Sequence, residues 1–546
     1  MSVLLVSGCS LDEIPYSITS EKLVQTEEGA EQLVTGIYAT FWDNWCMEQT
    51  YMAWMDYDND HCGAPAWVLS SAGSGDITGH YAYNTLNDLW SVFYRMINRA
   101  NKAKESLEST GNYQTDPAIR QLYGETLFLR AFAYFHLVRM YGAVPVRLSS
   151  ETEQNCPRSS VKEVYDVVTG DLETSLEYLS YASESNVGEW GHADKTAASL
   201  LLARVYCTMG AAALACNGDT EMIVDIKGDK KRFVCSPVAG AEEINAQQCY
   251  ERAKELCDEI IGRRGIDFDL MDAYLHLWGG NNRKNKEFVW GVPSVGDVDF
   301  QTSGMSSYYT PAPYGGSGAW IYMAPNLYTQ FDASDERIIH GVWHYYLTSY
   351  TSTKWVSFPS NSDEYNAENL PDNLKAFVPD FNDTYKYGVP CMTKHFKGDI
   401  SNPSFFEKKE ASQSEQDIIL LRFAEAYLLR AEAEVELDEI EAAMQDIDVI
   451  RKRSKATTLY SGKVTDKVEA RSLVLKERAL ELCQEFNRKF DLLRWGVYLD
   501  VMNATQFIVC GNANRSTIRT QKNLLYAIPT SEIAANSLIG GNNYGY

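Results

Sequence analysis

Three aspartates at alternate positions are the first residues in this sequence whose spacing could support chemistry. Asp56, Asp58 and Asp60 lie in MDYDNDHC, at the spacing of the first three ligands of a calcium loop. Such a loop also needs glycine at its sixth position and glutamate at its twelfth, where His61 and Trp67 stand. We therefore predict no calcium site here and expect neither a metal nor another cofactor.

Motifs of hydrolytic and phosphate-binding enzymes are missing or incomplete. The sequence has neither HExxH nor GxSxG, and its glycine-rich segments GSGD at 73 and GGSG at 315 lack the Lys-Ser/Thr of a phosphate loop. Carboxylate pairs could serve glycoside hydrolysis, but 74 acidic residues make such pairs uninformative. These patterns predict no catalytic residue.

Cys9 has a more specific context. It follows the apolar stretch VLLV and the small residues Ser7 and Gly8, the order of a bacterial lipobox, in which the thiol receives a lipid and a peptidase then cuts before it. We predict that residues 1–8 are the remnant of a lipoprotein signal. Neither Lys nor Arg precedes Cys9, so we expect the natural start to lie upstream. An unmodified tail cysteine is the alternative.

Composition excludes several classes of protein. The formal net charge of −25 would repel a phosphate backbone, so we expect no nucleic-acid partner. No apolar run after Val6 approaches the eighteen or so residues of a membrane span. Eleven cysteines follow Cys9 without any CxxC pair, which predicts free and mostly buried thiols rather than a zinc site, with a few disulfides as the alternative.

Helical spacing of apolar residues predicts the elements that must position any site. The predicted helices cover 87–107, about 117–142, 161–181, 193–210, 247–262, 415–438, 440–454 and 466–486. Three of them share small residues with Leu, Arg and Tyr, and two are followed by a second helix. Paired helices of this kind are typical of tetratricopeptide-like repeats, with an irregular helical bundle as the alternative.

Charged residues at helical spacing indicate structural ion pairs. Arg488, Asp491 and Arg494 lie at i, i+3 and i+6, and Leu492 and Trp495 can cover their stems. We expect both of these apolar side chains to be buried. Ion pairs within one repeat are also predicted for Glu425, Arg430 and Glu432.

Six segments in a fixed order form a recognisable pattern. They are the lipobox, ETLFLRAFAYFHLVRMYGAVPV, PRSSVKEVYDVVTGDLETSLEYL, DIILLRFAEAYLLRAEAE with IDVIRKRS, KERALELCQEFNRKFDLLRWG and LLYAIPTSEIAANSLIGGNNYGY. Together they resemble the SusD/RagB family of outer-membrane nutrient-binding lipoproteins. Two positions depart from the family pattern. Phe486 replaces a usual glycine, and GNNYGY replaces QNPGY.

The resemblance implies a mainly α fold of tetratricopeptide-like repeats with a large loop-rich insertion and few short strands. Residues 9–546 would form one composite domain. We name its two parts the helical half (about 20–45, 87–262 and 415–500) and the loop-rich half (about 46–86, 263–414 and 501–546). The implied function is capture of a glycan at the cell surface and delivery to a TonB-dependent outer-membrane transporter, without catalysis. Asp12 and Glu13 resemble the surface-export signal of this bacterial group.

The family places its binding surface in loops that correspond here to about 56–83 and 274–323. Trp and Tyr suit a sugar ring, which has an apolar C–H face and polar edges. The candidate ligand contacts are Trp67, Tyr81, Tyr83, Trp278, Tyr314 and Trp320, with Asp58, Asn281 and Arg283 as polar partners. An oligopeptide binder of the same fold and a repeat scaffold that only bridges proteins remain alternatives.

Overall fold

A computed structural model describes residues 23–46, 55–64, 83–151, 154–184, 189–226, 228–296, 304–312, 314–315, 321–347, 355–357, 390–403, 414–505, 509–510, 513–514 and 517–546. The predicted Cys9 anchor and the export signal lie outside these residues.

The helical half consists of long helices that pack in pairs. In chain order its first six are α1 (Glu27–Tyr38), α2 (Tyr83–Thr110), α3 (Pro117–Tyr141), α4 (Val161–Tyr178), α5 (Lys195–Ala215) and α6 (Ala246–Gly262). Helix α3 packs against α4, and α5 packs against α6. This arrangement confirms the predicted mainly helical, tetratricopeptide-like fold.

Helix α3 shows how local sequence sets the ends of these helices. The Asp116 carboxylate accepts hydrogen bonds from the backbone N–H groups of Ala118 and Ile119, and Pro117 occupies the first helical position. The helix ends at Gly142, whose φ of 72° is unfavourable for other residues. The predicted start and stop signals are therefore confirmed.

Helix α5 is apolar on all sides because it lies in the core. By length and composition it could cross a membrane, but 89% of its most apolar 18-residue window is buried inside the protein. Alanines such as Ala203 and Ala211 allow neighbouring helices to approach closely. It is therefore a core helix of the repeat stack.

The loop-rich half contains short elements. Its helices are α7 (Met305–Tyr309), α8 (Pro325–Tyr328) and α9 (Glu336–Ile339). Between Cys62 and Met392 the chain forms the strands β1 (Cys62–Gly63), β2 (Glu221–Ile226), β3 (Asp229–Val234), β4 (Phe288–Val292), β5 (Tyr322–Met323), β6 (Val342–Trp343), β7 (Tyr345–Leu347), β8 (Trp355–Ser357) and β9 (Cys391–Met392). The hairpin β2–β3 lies within the helical half and was not predicted.

The C-terminal part returns to helices. It comprises β10 (Ile418–Arg422), α10 (Phe423–Glu436), α11 (Ile440–Arg453), α12 (Lys467–Glu481), α13 (Arg488–Arg494), α14 (Tyr498–Ala504), β11 (Val509–Cys510), β12 (Ala513–Asn514) and α15 (Thr530–Ala535). All described ladders are antiparallel and two-stranded, namely β1–β5, β2–β3, β4–β10, β6–β9, β7–β8 and β11–β12.

Several predicted helix boundaries differ from the structure, including that of α5, which continues to Ala215 rather than ending at 210. Two of the differences have a tertiary cause. The helix expected over 415–438 begins only at Phe423, because Ile418–Arg422 forms a strand with Phe288–Val292. The helix expected over 466–486 ends at Glu481, and positive φ angles at Gln484 and Phe486 turn the chain before α13. In both places tertiary contacts override the local helical pattern.

Burial agrees with the predicted core. Leu492 and Trp495 are 0% and 1% exposed, as expected. The ten cysteines whose side chains are described form no disulfide with one another, and eight of them are buried. The prediction of mostly buried thiols is confirmed for these ten residues.

Candidate functional site

The two loop regions implicated by the sequence meet at the short ladder β1–β5. Cys62 pairs with Met323, and Gly63 pairs with Tyr322. The Tyr322 hydroxyl donates to the Ala64 carbonyl oxygen at 3.1 Å. The residues that follow Ala64 and those that precede Ile321 therefore start from the same end of this ladder.

Side-chain and backbone hydrogen bonds connect the 55–64 segment to the 304–324 segment. The Tyr309 hydroxyl donates to Asp56 Oδ2 at 2.7 Å, and the Ala324 N–H donates to the His61 carbonyl at 2.7 Å. Asn59 Oδ1 accepts from the N–H groups of His61 and Cys62, as Asn does in tight turns. The ladder thus has a rigid base.

Asp58 is buried in the 55–64 segment and has no surface at which it could contact a ligand. It is 1% exposed and accepts hydrogen bonds from Lys489 at 2.9 Å, Arg519 at 2.8 Å and Tyr498 at 2.5 Å. Burial alone would raise the pKa of Asp58, but Lys489 and Arg519 outweigh it and hold this pKa well below its usual range. The prediction that Asp58 contacts ligand is therefore wrong.

Trp278 and Tyr314 are core residues of the loop-rich half. The Tyr314 ring stacks on Trp343 at 3.8 Å between centroids and is 1% exposed. Trp278 is 3% exposed and lies beneath Lys394 and Arg422, each 5.2 Å from its ring. Their assignment to the binding surface is also wrong, because long loops need an apolar core of their own.

The two polar candidates from the 280s are placed differently. Asn281 is exposed in the turn Gly280–Asn282. Arg283 is half-buried, donating to Asp417 at 2.6 Å and to the Ser294 carbonyl at 2.9 Å. Asn281 is thus available to a ligand, whereas Arg283 fixes the loop.

The sequence did not single out Asp399, which joins this polar edge. The Gly280 N–H donates to the Gly398 carbonyl, so the turn lies beside the 398–401 segment. Burial opposes ionisation of Asp399, but hydrogen bonds from Ser401 and Asn281 outweigh it and lower the pKa of this carboxyl. Among the described residues, no cluster of three or more His, Cys, Asp or Glu is arranged to hold a metal ion.

The remaining aromatic candidates stay predictions. Trp67, Tyr81 and Trp320 lie outside the described residues. Tyr83 is the first residue of α2, and its side chain lies outside the described part. Trp67 is three residues after Ala64, and Trp320 directly precedes Ile321.

A buried cluster of charges joins the loop-rich half to α12 and was not predicted. We call it the charged junction, and its residues are Glu287, Arg337, Lys394, Arg422, Arg453, Glu481 and Glu485. Glu481 accepts from Arg337, Arg422 and Arg453. Arg422 also donates to Glu287 at 2.6 Å and to Glu485 at 2.7 Å. Single charged residues at scattered positions carry no pattern that would reveal such a cluster in sequence.

The predicted pair Asp491–Arg494 exists within α13, and the other contacts of these residues reach different elements. Asp491 accepts from Arg494 and from Arg478 of α12. Arg494 also binds Glu432 of α10. Arg488 pairs with Asp60 at 2.8 Å.

Glu425 and Arg430, expected to pair within one repeat, form ion pairs with residues of other helices. Arg430 binds Asp446 of α11 at 2.7 Å and Asp258 of α6 at 2.8 Å. Glu425 accepts from Arg204 of α5. The Arg430–Asp446 pair lies within the helix pair α10–α11, as predicted for one repeat, whereas the contacts with Asp258 and Arg204 reach other helices.

Comparison with known proteins agrees with this architecture. A family model described as "Starch-binding associating with outer membrane" matches residues 10–207, and the model of the SusD family matches residues 322–546. SusD-like protein P25 of Formosa agariphila is 25% identical over 92% of this chain and 91% of its own length.

Solved structures show the same fold along nearly the whole chain. A SusD homolog from Bacteroides thetaiotaomicron superposes with a TM-score of 0.73 at 20% identity, covering 96% of this chain and 98% of the other. A laminarin binding SusD-like protein superposes with a TM-score of 0.61 at 19% identity, covering 95% and 99%. The shared class is a tetratricopeptide-like helical fold with a loop-rich insertion. The chain belongs to the SusD/RagB family.

Proposed function

We propose that the protein binds an oligosaccharide at the cell surface and delivers it to a TonB-dependent outer-membrane transporter, without catalysing a reaction. Family membership supports this function, as does the laminarin binding protein among its structural neighbours. The observation that carries the proposal for this chain is the β1–β5 ladder. The two segments that contain Trp67 and Trp320 start from one end of this ladder.

The proposed ligand surface combines flat aromatic rings with polar edges. Trp67, Tyr81, Tyr83 and Trp320 supply rings that stack on the C–H faces of sugars. Asn281, exposed beside Asp399, supplies hydrogen-bonding groups for hydroxyls. A shallow site that must order a flexible oligomer binds it weakly, so we expect dissociation constants of roughly micromolar to millimolar.

The proposed anchor and partner make weak binding sufficient. Lipid on Cys9 would hold the protein at the outer membrane, and two or three acyl chains make such anchoring stable. The protein would cover the transporter as a lid, with its helical half providing much of the contact. Proximity replaces free diffusion by a high effective concentration. We also propose that residues 9–546 act as one composite domain, which the ion pairs Arg337–Glu481 and Arg422–Glu287 of the charged junction support, because each joins the loop-rich half to the helical half.

Binding of defined oligosaccharides to tryptophan variants tests the site. We expect Trp67→Ala and Trp320→Ala to lose binding in a panel that contains maltooligosaccharides and laminarin oligosaccharides, with melting temperature unchanged. Tyr544→Ala, which removes a 74% exposed ring outside both loop regions, is the control and should bind as the parent does. Unchanged binding by both tryptophan variants would place the site elsewhere. Binding of peptides but no glycan would support the oligopeptide alternative.

Anchoring and transporter contact require separate experiments. In a full-length precursor, Cys9→Ala should release the protein from the membrane fraction, and protease should reach the parent protein on intact cells. Co-purification with its transporter should survive Trp67→Ala. Membrane retention of the Cys9→Ala variant would contradict the lipoprotein assignment.

A further inference from the structure

Two cysteines from different halves of the protein meet at a small internal cavity. Cys62 belongs to β1, at the base of the proposed glycan surface, and Cys483 follows the end of α12 in the helical half. They lie more than 400 residues apart in the sequence, yet both line the same cavity of about 10 Å³. They are 1% and 3% exposed. The fold thus brings together two thiols that no local pattern connects.

The two thiols are in direct contact. The side chain of Cys62 shares a hydrogen bond with that of Cys483. Burial is the main cause that raises the pKa of Cys62 well above its usual range, and this hydrogen bond and the nearby Asp56 carboxylate raise it further. In the folded chain Cys62 is therefore a protonated thiol, which is a poor nucleophile. A bond between the two sulfur atoms has to form while the chain folds, before the site is buried.

Hydrogen bonds hold the backbone on both sides of this contact. The Cys62 N–H donates to Asn59 Oδ1 at 2.9 Å. Lys394 Nζ donates to the Cys483 carbonyl oxygen at 2.8 Å. Both backbones are thus positioned without a covalent link, and the cavity gives the sulfur atoms room to rotate to the bonding distance of about 2.05 Å.

A metal ion does not account for the pair. A structural zinc site uses four ligands, and the described part of the chain contains no group of three or more His, Cys, Asp or Glu that could hold an ion. Two contacting cysteines without further ligands are what a disulfide requires. Disulfides form and persist in proteins outside the cytoplasm.

We propose that Cys62 and Cys483 form a disulfide when the chain folds in an oxidising compartment, with a small-molecule or protein disulfide as the oxidant. The thiolate of one cysteine attacks the oxidant and displaces one of its thiolates, which leaves a mixed disulfide. The thiolate of the other cysteine then attacks the protein sulfur of this mixed disulfide and displaces the second oxidant thiolate. The two cysteines lose two electrons and two protons, and the oxidant becomes two thiols.

The bond would have a structural consequence for the proposed site. It would tie β1, from which one segment of the glycan surface starts, to the end of α12. Closing so long a loop restricts the unfolded chain more than the folded one. This link is independent of the ligand that the protein binds.

Peptide mapping after refolding tests the pair. The whole protein, reduced and unfolded in urea, is refolded in a glutathione redox buffer, alkylated with iodoacetamide in urea and digested without reduction. Mass spectrometry should find the Cys62 and Cys483 peptides joined in at least half of the molecules. Alkylation of both cysteines in most of the refolded protein would overturn the proposal.

Cys207 is the control within the same chain. It is also 1% exposed and interacts electrostatically with Cys257, but its thiol donates to the Leu429 carbonyl oxygen rather than to a cysteine. The Cys207 peptide should therefore be alkylated and carry no disulfide. A disulfide at Cys207 in equal yield would show unspecific oxidation and would contradict a preformed pair.

Substitutions test whether the bond stabilises the fold. The parent refolded with glutathione disulfide should melt about 2–4 °C above the parent refolded with dithiothreitol. Cys62→Ser and Cys483→Ser should each abolish the linked peptide and this difference, and Cys62→Ala repeats the test if the serine variant does not refold. Cys216→Ser, at a half-buried thiol elsewhere in the helical half, should keep both. A difference that persists in Cys62→Ser or Cys483→Ser would contradict the assignment.

Discussion

Helices α5 and α10 pack mainly through alanine and leucine side chains, beside the single ion pair Arg204–Glu425. The loop-rich half meets α12 through a cluster of buried charges in addition to apolar contacts. Leu200, Ala203 and Leu428 are completely buried between helices. At the charged junction, Arg337, Arg422 and Glu481 are equally buried, but each is surrounded by opposite charges. One region gains from removing apolar surface from water, and the other depends on complete pairing.

This difference follows from what each half must position. A repeat stack needs only complementary helix faces, so many apolar residues serve equally well. Loops without a helical period need directional contacts, and bidentate Arg–carboxylate pairs fix both distance and orientation. Two regions of equal burial should therefore respond differently to substitution and to pH.

The largest expected loss comes from opening the charged junction. Glu481→Gln removes the negative charge shared by Arg337, Arg422 and Arg453 and leaves these guanidinium groups buried with too few partners. The free energy of unfolding should fall by about 3–5 kcal/mol, measured by urea denaturation.

A surface ion pair provides the control for this change. Glu255 is 66% exposed at its side chain and pairs with Arg252. Glu255→Gln should therefore lower the free energy of unfolding by less than about 1 kcal/mol. If Glu481→Gln and Glu255→Gln lowered the free energy of unfolding equally, the charged junction would not stabilise the attachment of the loop-rich half.

Truncation in the helical half gives a loss of similar or smaller size by a different mechanism. Trp495→Ala removes a ring that is 1% exposed and flanked by Arg471 and Arg494. Lost burial and the resulting cavity should cost about 3–5 kcal/mol, measured as for Glu481→Gln. Trp495→Phe, which keeps most of the apolar contact, should recover more than half of this loss. A melting temperature of Trp495→Ala equal to that of the parent would exclude Trp495 from the core.

The pH dependence of stability should contain two opposite contributions. Burial raises the pKa of Asp56 to about 7, above its unfolded value near 4. The contribution of Asp56 to the free energy of unfolding is fully present below its unfolded pKa. It is lost as pH rises towards 7, by up to about 1.4 kcal/mol per pH unit. Burial would raise the pKa of Glu481, but Arg453, Arg422 and Arg337 lower it, so that contribution is lost as pH falls below about 4.

Two Asp→Asn variants, one in each half, test whether a buried carboxyl with a raised pKa makes stability fall as pH rises. Asp56→Asn keeps an acceptor oxygen for Tyr309 and should reduce the loss of stability between pH 5 and pH 8 by about 2 kcal/mol. Asp194, the N-cap of α5, also has a pKa raised to about 7 by burial, so Asp194→Asn is the matched change in the helical half. If the stability of both variants varies with pH as that of the parent does, these carboxyls are not protonated in the folded state.

The smallest expected effect concerns the one departure from the family pattern that has a backbone consequence. Phe486 has a φ of 65°, in the left-handed region that favours glycine, yet its ring is only 5% exposed. Both Phe486→Ala and Phe486→Gly should lower stability because the ring is lost. The glycine variant should be more stable than the alanine variant by about 1 kcal/mol, because its backbone is not strained there. Urea denaturation would contradict this if alanine were equal or better.

Local sequence was sufficient for most of the helical half. Helical spacing from Leu89 to Leu107 and the Asp116-Pro117 start of α3 both act within one or two turns of chain, so they are readable without tertiary information. The strand Ile418–Arg422 was misread because its apolar residues also fit a helix. Only its pairing with Phe288–Val292 selects the extended form.

The sequence proposes the site only as a pair of regions, which stays a prediction, and it could not identify the individual residues. An aromatic residue in a loop has the same local sequence whether its ring faces solvent or packs on another ring, so Trp278 and Tyr314 could not be distinguished from surface candidates. Asp58 became a buried ion-pair partner only because Lys489 and Arg519, more than 400 residues away, fold against it. Sequence thus determined the elements and the family pattern, whereas tertiary structure decided which charged and aromatic side chains are buried, because burial depends on contacts between distant parts of the chain.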